Sequence, residues 1–374
     1  MSANILKAVT CGAACALLST VAAGAQTSAR PSGEADLAAA GAGTIVTAGQ
    51  FNGLLRAGAT PLHLDPFAEA PQSRTQVAGP SYFNRGRLDY GPNAVWAAPI
   101  YGVTEIDGGA GADVDVEGGG IVVGAERRIA KTRHGLFALG GALGYQNMDL
   151  GNTRAGGVRV PDAGSFDLWS AGVYSTWLNR RLRADFAASY SLADINLTRL
   201  SSELPTADSE RGPDADSTDI DFEIAFAALG DTRRGLVIGP LLRAGATWGD
   251  IDELRPAPRI VDSGVEGDAF QQYSLGAGVR LGYNNLNLRG PDTRFALDVA
   301  YERTFEDDAF TIRNAGGAEV MSTSQLVSDD NSLRIGGVAA IELYNVIDLG
   351  LRYGGRFGND VREHTASLRA AARF

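Results

Sequence analysis

Histidines are the side chains of this chain best suited to general acid–base work near neutral pH, and there are three of them. A Ser–His or Asp–His hydrolase needs one histidine held beside its nucleophile. His63 lies in a Pro- and Ala-rich stretch, His134 lies at a predicted turn, and His364 begins the last predicted strand near its outer end. His364 is the one geometrically plausible catalytic histidine. We expect it to be an exposed histidine at the rim of the sheet, and the protein not to be an enzyme.

Metal ligation is not favoured by the sequence either. The two cysteines, Cys11 and Cys15, both fall in an N-terminal apolar segment that resembles a removable leader. Three scattered histidines do not make a transition-metal site. One Gly-rich stretch is acidic at four positions, which are Asp107, Asp113, Asp115 and Glu117. It lacks the EF-hand spacing, so we expect a solvated acidic loop, no metal and no cofactor.

The other charged side chains alternate with apolar residues over long segments. In one segment Phe295, Leu297 and Val299 fall on one parity, and Asp298 falls on the other. Charges of both signs on one face can hold a threaded segment by hydrogen bonds or line a hydrated pore. The residues predicted to face such a lumen are Arg183, Asp185, Asp221, Glu223, Arg280, Asp298, Glu302, Arg334, Glu342, Asp348 and Arg352.

Strands with one apolar and one polar face must position these residues, because the alternation has a period of two. A soluble sandwich would bury the apolar parity between sheets, whereas a membrane barrel turns it to lipid and keeps charge in the lumen. Each segment has the roughly 9–11 residues that a tilted strand needs to cross a bilayer. The sequence therefore predicts an all-β, closed antiparallel transmembrane barrel. Its predicted strands are 93–106, 114–129, 134–148, 165–178, 181–196, 217–229, 235–249, 268–285, 293–306, 332–343, 346–357 and 362–374.

The connections give a second indication of a barrel. Short turns alternate with long polar loops, which are predicted at 149–164, 197–216, 250–267 and 307–331. Short periplasmic turns and long external loops are typical of outer-membrane barrels, and they place both barrel ends in the periplasm. Aromatic residues near strand ends suit the two membrane interfaces or ordinary half-buried strand positions. These aromatics include Trp96, Trp177, Trp248, Tyr283, Tyr301 and Phe374.

The N-terminal region indicates export. Lys7 precedes an apolar run from Ala8 to Val21, and Ala23-Gly24-Ala25 fits a signal-peptidase site, so we expect residues 1–25 to be a signal peptide cleaved near Ala25. Residues 26–92 are rich in Ala, Gly, Pro and Ser, and are predicted to be a short exported segment or linker that could hold one helix within 35–59. The barrel is predicted to span 93–374. The net charge of −11 argues against nucleic acid as a partner.

Several phrases resemble the autotransporter β-domain, the translocator of type V secretion. They are Ala94-Val95-Trp96, Tyr101-Gly102, Gly120 to Gly124, Leu139 to Tyr145, Gly172-Val173-Tyr174, Ala188-Ser189-Tyr190, Gly278 to Gly282, and Tyr353-Gly354 with the terminal Phe374. The resemblance implies a barrel of twelve strands, an N-terminal helix threaded through it, and export of whatever precedes that helix. It also implies that the assembly machinery reads Phe374. Family passengers are usually large β-solenoids, and residues 26–92 show no such repeat.

The sequence thus predicts an autotransporter-type barrel in the outer membrane of a Gram-negative bacterium, which translocates or displays at most a short N-terminal segment. Its expected partners are outer-membrane lipid, the barrel-assembly machinery and periplasmic chaperones, and it is expected to be a monomer. Two alternatives stay open. One is a passive porin-like or structural barrel, and the other is a barrel hydrolase acting at the external rim through His364.

Overall fold

The computed structural model describes residue 51 and most of the chain from Asn93 onward. None of the described residues belongs to a helix that is long and apolar enough to cross a membrane. The signal peptide predicted for 1–25 lies outside the described residues, as does the exported segment predicted for 26–92 apart from Phe51. The described ranges are 51, 93–106, 112–132, 135–154, 158–178, 181–199, 208–230, 234–251, 269–285, 292–308, 311–313, 319–322, 331–343, 347–359 and 361–374.

The described chain from Asn93 onward is almost entirely antiparallel β-sheet. Its strands are β1 (Asn93–Ile106), β2 (Ala112–Thr132), β3 (Gly135–Arg154), β4 (Val158–Leu178), β5 (Leu182–Arg199), β6 (Asp208–Phe226), β7 (Leu229–Gly230), β8 (Arg234–Ile251), β9 (Ala269–Asn285), β10 (Asp292–Asp308), β11 (Thr311–Arg313), β12 (Glu319–Ser322), β13 (Asn331–Leu343), β14 (Ile347–Phe357) and β15 (Val361–Arg373). Strands β11 and β12 form a separate small hairpin in the loop between β10 and β13. The predicted strands correspond to the other long strands, and the predicted fold class is confirmed.

The main sheet of 13 strands closes on itself. Strand β1 pairs with β15, from Ala94↔Arg373 to Ile106↔Val361, and β6 pairs with β8. The two-residue β7 is an addition beside β8. Beyond the last strand, the backbone N–H of Phe374 donates to the carbonyl of Asn93 at 3.1 Å. Closure pairs the strand edges, whose N–H and C=O groups would otherwise be left unsatisfied in hydrocarbon.

The alternation of side chains sets the two faces of this barrel. Leu297 is 43% exposed on the outer face of β10, and Val299 on the same parity is also exposed, whereas Asp298 and Ala300 on the other parity are buried on the inner face. The same parity holds on β5, where the outer Phe186 adjoins the buried Asp185. A water-soluble protein would not expose this many large apolar side chains, so the outer face is a lipid-facing surface.

Most of the aromatic residues predicted at the interfaces lie on the outer face. Trp177, Tyr283, Tyr301 and Phe374 are exposed there. The prediction was wrong for Trp96, which is only 4% exposed and points into the lumen. Strand β1 is apolar on both parities in this region, so its sequence carries no alternation from which the direction of Trp96 could be predicted.

Two predicted external loops are largely strand. The loop predicted at 149–164 shrinks because β3 continues to Arg154 and β4 begins at Val158. The loop predicted at 197–216 shrinks in the same way. Outside the hydrocarbon, water solvates both faces of a hairpin, so backbone pairing such as Asn152↔Val160 continues without apolar alternation. A boundary drawn from the alternation therefore ends the strand too early.

Candidate functional site in the barrel lumen

The lumen has two chemically different walls. One wall lies on β1 to β4 and is built around Trp96 and Tyr174; we call it the aromatic wall. The other lies on β6 and β8 to β10 and is built from Glu223, Arg243, Arg280 and Asp298; we call it the charged wall. The barrel brings both walls to one interior, although their strands are separate in the sequence.

The aromatic wall holds Phe51, which precedes the barrel by some forty residues in the printed sequence. Phe51 has helical backbone and is 0% exposed. It belongs to one buried cluster with Trp96 and Tyr174. The indole Nε1 of Trp96 donates to the Tyr174 hydroxyl at 2.7 Å, and the guanidinium carbon of Arg369 lies 5.2 Å from the centroid of the Trp96 ring. The pairing satisfies the polar atom of the indole while its ring faces the interior.

Glycines shape the aromatic wall. A Cβ added at Gly144 would lie 2.5 Å from Cε2 of Phe51, and one added at Gly124 would lie 2.5 Å from the Trp96 ring. Non-bonded atoms do not approach this closely. The space beside each glycine is therefore already occupied by an aromatic ring, and a residue larger than glycine at that position would displace the ring. Gly124 pairs with Ala142 and Gly144 pairs with Val122, so the two glycines are diagonal neighbours on the same face of the β2–β3 pair.

The charged wall is a compact network of two arginines and two acids. The guanidinium of Arg280 donates to both carboxylate oxygens of Asp298, at 2.6 and 2.7 Å, and to Glu223 at 2.7 Å. Arg243 donates to Glu223 at 2.8 Å, and its second nitrogen lies 3.6 Å from Asp298. All four side chains are nearly buried, and the charges balance. Such a network holds four strands in register and fills lumen volume.

Further polar contacts continue from the charged wall around the inner face. Arg334 lies 2.9 Å from Glu302, and Arg356 donates to the hydroxyl of Thr304 at 3.1 Å. The Thr247 hydroxyl donates to Asp219 at 2.7 Å. These side chains line a polar recess in the lumen. The lumen on this side is therefore lined by charged groups that already have partners.

Two further ion pairs of the lumen involve residues that were predicted from the sequence. Arg183 pairs with Asp185 on β5, and Asp348 pairs with Arg373 across β14 and β15. The side chain of Glu342 lies outside the described residues, although its backbone in β13 pairs with Asp292 of β10. The predicted residues that lie on the inner-face parity are Arg183, Asp185, Asp221, Glu223, Arg280, Asp298, Glu302, Arg334, Asp348 and Arg352.

Sequence reasoning missed the aromatic wall. Phe51, Trp96 and Tyr174 carry no charge, and a charge-based search for lumen residues passes over them. The available signal was the set of glycines at alternate positions in β2 and β3, such as Gly124 and Gly144. Glycine in a strand interior marks a place where another group approaches closely.

The histidine considered for catalysis lies on the outer face. The ring of His364 packs edge-on against Phe357, with centroids 5.2 Å apart, and its Nδ1 lies 2.8 Å from the Tyr353 hydroxyl. Its cross-strand neighbours are Val103 and Gly355, neither of which is a nucleophile. His63 and His134 lie outside the described residues. Within the described strands, no group of three or more His, Cys, Asp or Glu side chains is placed to share a metal ion.

A closed antiparallel barrel with an apolar outer face and a charged interior defines a transmembrane β-barrel of the bacterial outer membrane. The sequence matches the Autotransporter beta-domain family over residues 95–354, which run from β1 into β14, and the chain belongs to this family. No curated protein sequence matches the chain significantly.

Solved autotransporter barrels have the same fold. The transport unit of AIDA-I from Escherichia coli superposes with a TM-score of 0.59 at 13% identity, covering 78% of this chain and 92% of that one. The beta domain of the Bordetella autotransporter BrkA gives a TM-score of 0.56 at 14% identity, covering 76% of this chain and 100% of that one. The translocator domain of NalP from Neisseria meningitidis gives 0.53 at 12%, covering 89% and 97%.

Proposed function

We propose that this autotransporter barrel holds its own N-terminal segment in the lumen and displays or translocates what precedes it, without enzymatic activity. The burial of Phe51 within the aromatic wall is the observation that carries the proposal. Phe51 belongs to the region predicted as a short exported segment, and nothing in the ring of strands requires that region to enter the barrel. Its contact with Gly144 is the kind of close fit expected of a segment with one seated position.

The chemistry of the two walls supports the same proposal. The aromatic wall offers an apolar surface to an entering helix, whereas the charged wall pairs its charges with one another. A segment inside the lumen can therefore move past the charged wall without leaving a buried charge unpaired. The passive-pore alternative has less support, because Phe51 already takes up space in the lumen. The hydrolase alternative has less support, because His364 lies on the outer face.

The proposal extends to processing and assembly. A signal peptide of residues 1–25 is cleaved near Ala25, residues 26–92 form the exported segment, and 93–374 form a monomeric barrel that reaches the membrane with periplasmic chaperones and the assembly machinery. Phe374 is exposed at the end of the chain, where its backbone joins Asn93. Deletion of Phe374 is expected to lower the amount of heat-modifiable barrel in the outer membrane and to raise its periplasmic degradation.

Single-channel conductance in planar bilayers tests the lumen proposal. Removal of residues 35–60 should convert a low-conductance barrel into one with a large, stable open level, because the seated segment no longer fills the lumen. Phe51→Asp should raise conductance by a smaller amount, since the segment stays attached but loses its apolar seat. Heat-shifted electrophoretic mobility shows that each variant is folded. An equally high conductance in the unaltered protein would instead favour the passive pore.

Display is tested separately on intact cells. An epitope tag placed at Gly33 should be reached by antibody or by added protease if the segment passes through the barrel. If the segment remains in the periplasm instead, neither antibody nor added protease should reach the tag, although the barrel is folded. That second outcome would contradict display and leave only a plug function for the segment.

A further inference from the structure

The outer wall of the barrel carries an apolar groove that the translocation proposal does not use. The groove has a volume of about 830 Å³ and runs across β1 to β5. Its floor consists of small residues, including Ala125, Gly141 and Ala188, and its sides are formed by larger ones such as Leu143 and Tyr190. The groove is shallow and widely open to the lipid-facing side.

The floor of the groove follows directly from strand register. Ala125 on β2 lies opposite both Val95 on β1 and Gly141 on β3. Gly141 in turn lies opposite Val173 on β4. Two small residues are therefore placed side by side between two valines, and the depression lies where cross-strand neighbours would otherwise fill the surface.

A cation lies just beyond one end of the groove. Arg127 is exposed on the outer face, two residues along β2 from Ala125, which is about 7 Å along the strand. Its cross-strand neighbour on β1 is Asn93. The backbone N–H of Phe374 bonds to the carbonyl of Asn93. This is the end that the lengths of the connections assign to the periplasm. Arg127 is thus at the depth where the phosphates of the periplasmic leaflet meet the aromatic belt.

We propose that this groove binds one anionic glycerophospholipid of the periplasmic leaflet. One acyl chain lies over Ala125 and Gly141, and the phosphate accepts hydrogen bonds from Arg127. The apolar lining is complementary to the chain, and the guanidinium is complementary to the phosphate. Arg127 would otherwise expose a charge at the edge of the lipid phase, where anionic headgroups are its natural counterions.

Native mass spectrometry of the folded barrel in detergent, supplied with phosphatidylglycerol, tests the proposal. The unaltered protein should retain one phosphatidylglycerol. Gly141→Leu fills the groove, and a Cβ at this position meets only the Gly172 carbonyl oxygen at 3.5 Å, so the backbone accepts it. It should lower retention about tenfold, as should Arg127→Gln through loss of a charge-assisted hydrogen bond.

Two variants on the opposite side of the barrel serve as matched controls. Gly337→Leu also adds a side chain to the outer face, where a Cβ meets nothing within 4 Å. Arg303→Gln removes another exposed outer-face cation. Both should leave retention unchanged. Phosphatidylethanolamine, which carries no net charge, should be retained at least several-fold less than phosphatidylglycerol.

Three results would overturn the proposal. Retention could be the same in Gly141→Leu and in the unaltered protein. It could be the same for phosphatidylglycerol and phosphatidylethanolamine. Finally, a dimer that Gly141→Leu dissociates would show that a second copy of the chain covers the groove. Heat-shifted mobility of each variant shows beforehand that a loss of lipid does not come from an unfolded barrel.

Discussion

The aromatic and charged walls of the lumen solve different physical problems. On the aromatic wall, Phe51 fits a space left by Gly144, and the fit depends on shape. On the charged wall, Arg280 joins Glu223 and Asp298, and the network depends on charge pairing between neighbouring strands. The comparison teaches that charge in this lumen maintains the barrel itself, whereas the uncharged glycine-lined surface is where Phe51 is buried.

The charged wall should carry the larger share of stability. We expect Glu223→Ala to lower the free energy of unfolding by about 3–5 kcal/mol, because Arg280 and Arg243 lose a buried carboxylate that both contact. Urea titration of the refolded barrel in lipid vesicles measures the change. Arg303→Ala, which removes an exposed cation over Phe305, is the control and should change little. Equal losses in both variants would show that the network does not stabilise the barrel.

Only the inner face of the barrel should tolerate an added charged side chain. Leu297 lies on the outer face of the same strand as Asp298, so Leu297→Arg should destabilise the barrel by about 2–4 kcal/mol in a vesicle titration. Ala296→Arg, at a half-buried inner position next to it, should cost far less. If the two substitutions have the same effect, the assignment of the two faces of β10 is wrong.

The aromatic wall should be sensitive to an increase in side-chain volume. Gly144→Leu is expected to displace Phe51 and to cost about 1–3 kcal/mol, because the added side chain needs the space of the Phe51 ring. The substitution should also raise the conductance, because the segment that carries Phe51 is displaced from the aromatic wall. Gly337→Leu on the outer face has room for its side chain and should alter neither quantity. If folded Gly144→Leu conducts no better than the unaltered protein, Phe51 does not limit conduction through the lumen.

The smallest expected effect concerns a single hydrogen bond of the aromatic wall. Trp96→Phe keeps an aromatic ring over Gly124 but removes the donor to the buried Tyr174 hydroxyl, which should cost about 0.5–1.5 kcal/mol. Adding Tyr174→Phe in the same chain should recover part of the loss, because the unpaired hydroxyl goes with it. Additive losses in this double-mutant cycle would show that the bond contributes nothing.

Much of the architecture could be predicted because it follows from a local rule. Successive side chains of a strand point to opposite faces, so the alternation around Asp298 and Leu297 is enough to assign the lumen and the lipid face. The aromatic wall could not be predicted in this way. Strand β1 is apolar on both parities near Trp96, and no periodicity within β1 distinguishes its inner from its outer face.

The sequence by itself determined the strands, their two faces and the charges of the interior, because these depend on residues that are close together in the chain. Only the tertiary structure decided which side chains meet. Arg280 reaches Glu223 across β8, and Phe51 reaches Gly144 from outside the sheet, and both contacts depend on the register and closure of the whole ring. Local alternation specifies the direction of a side chain, whereas its partner is set by strands that are distant in sequence and joined only when the barrel closes.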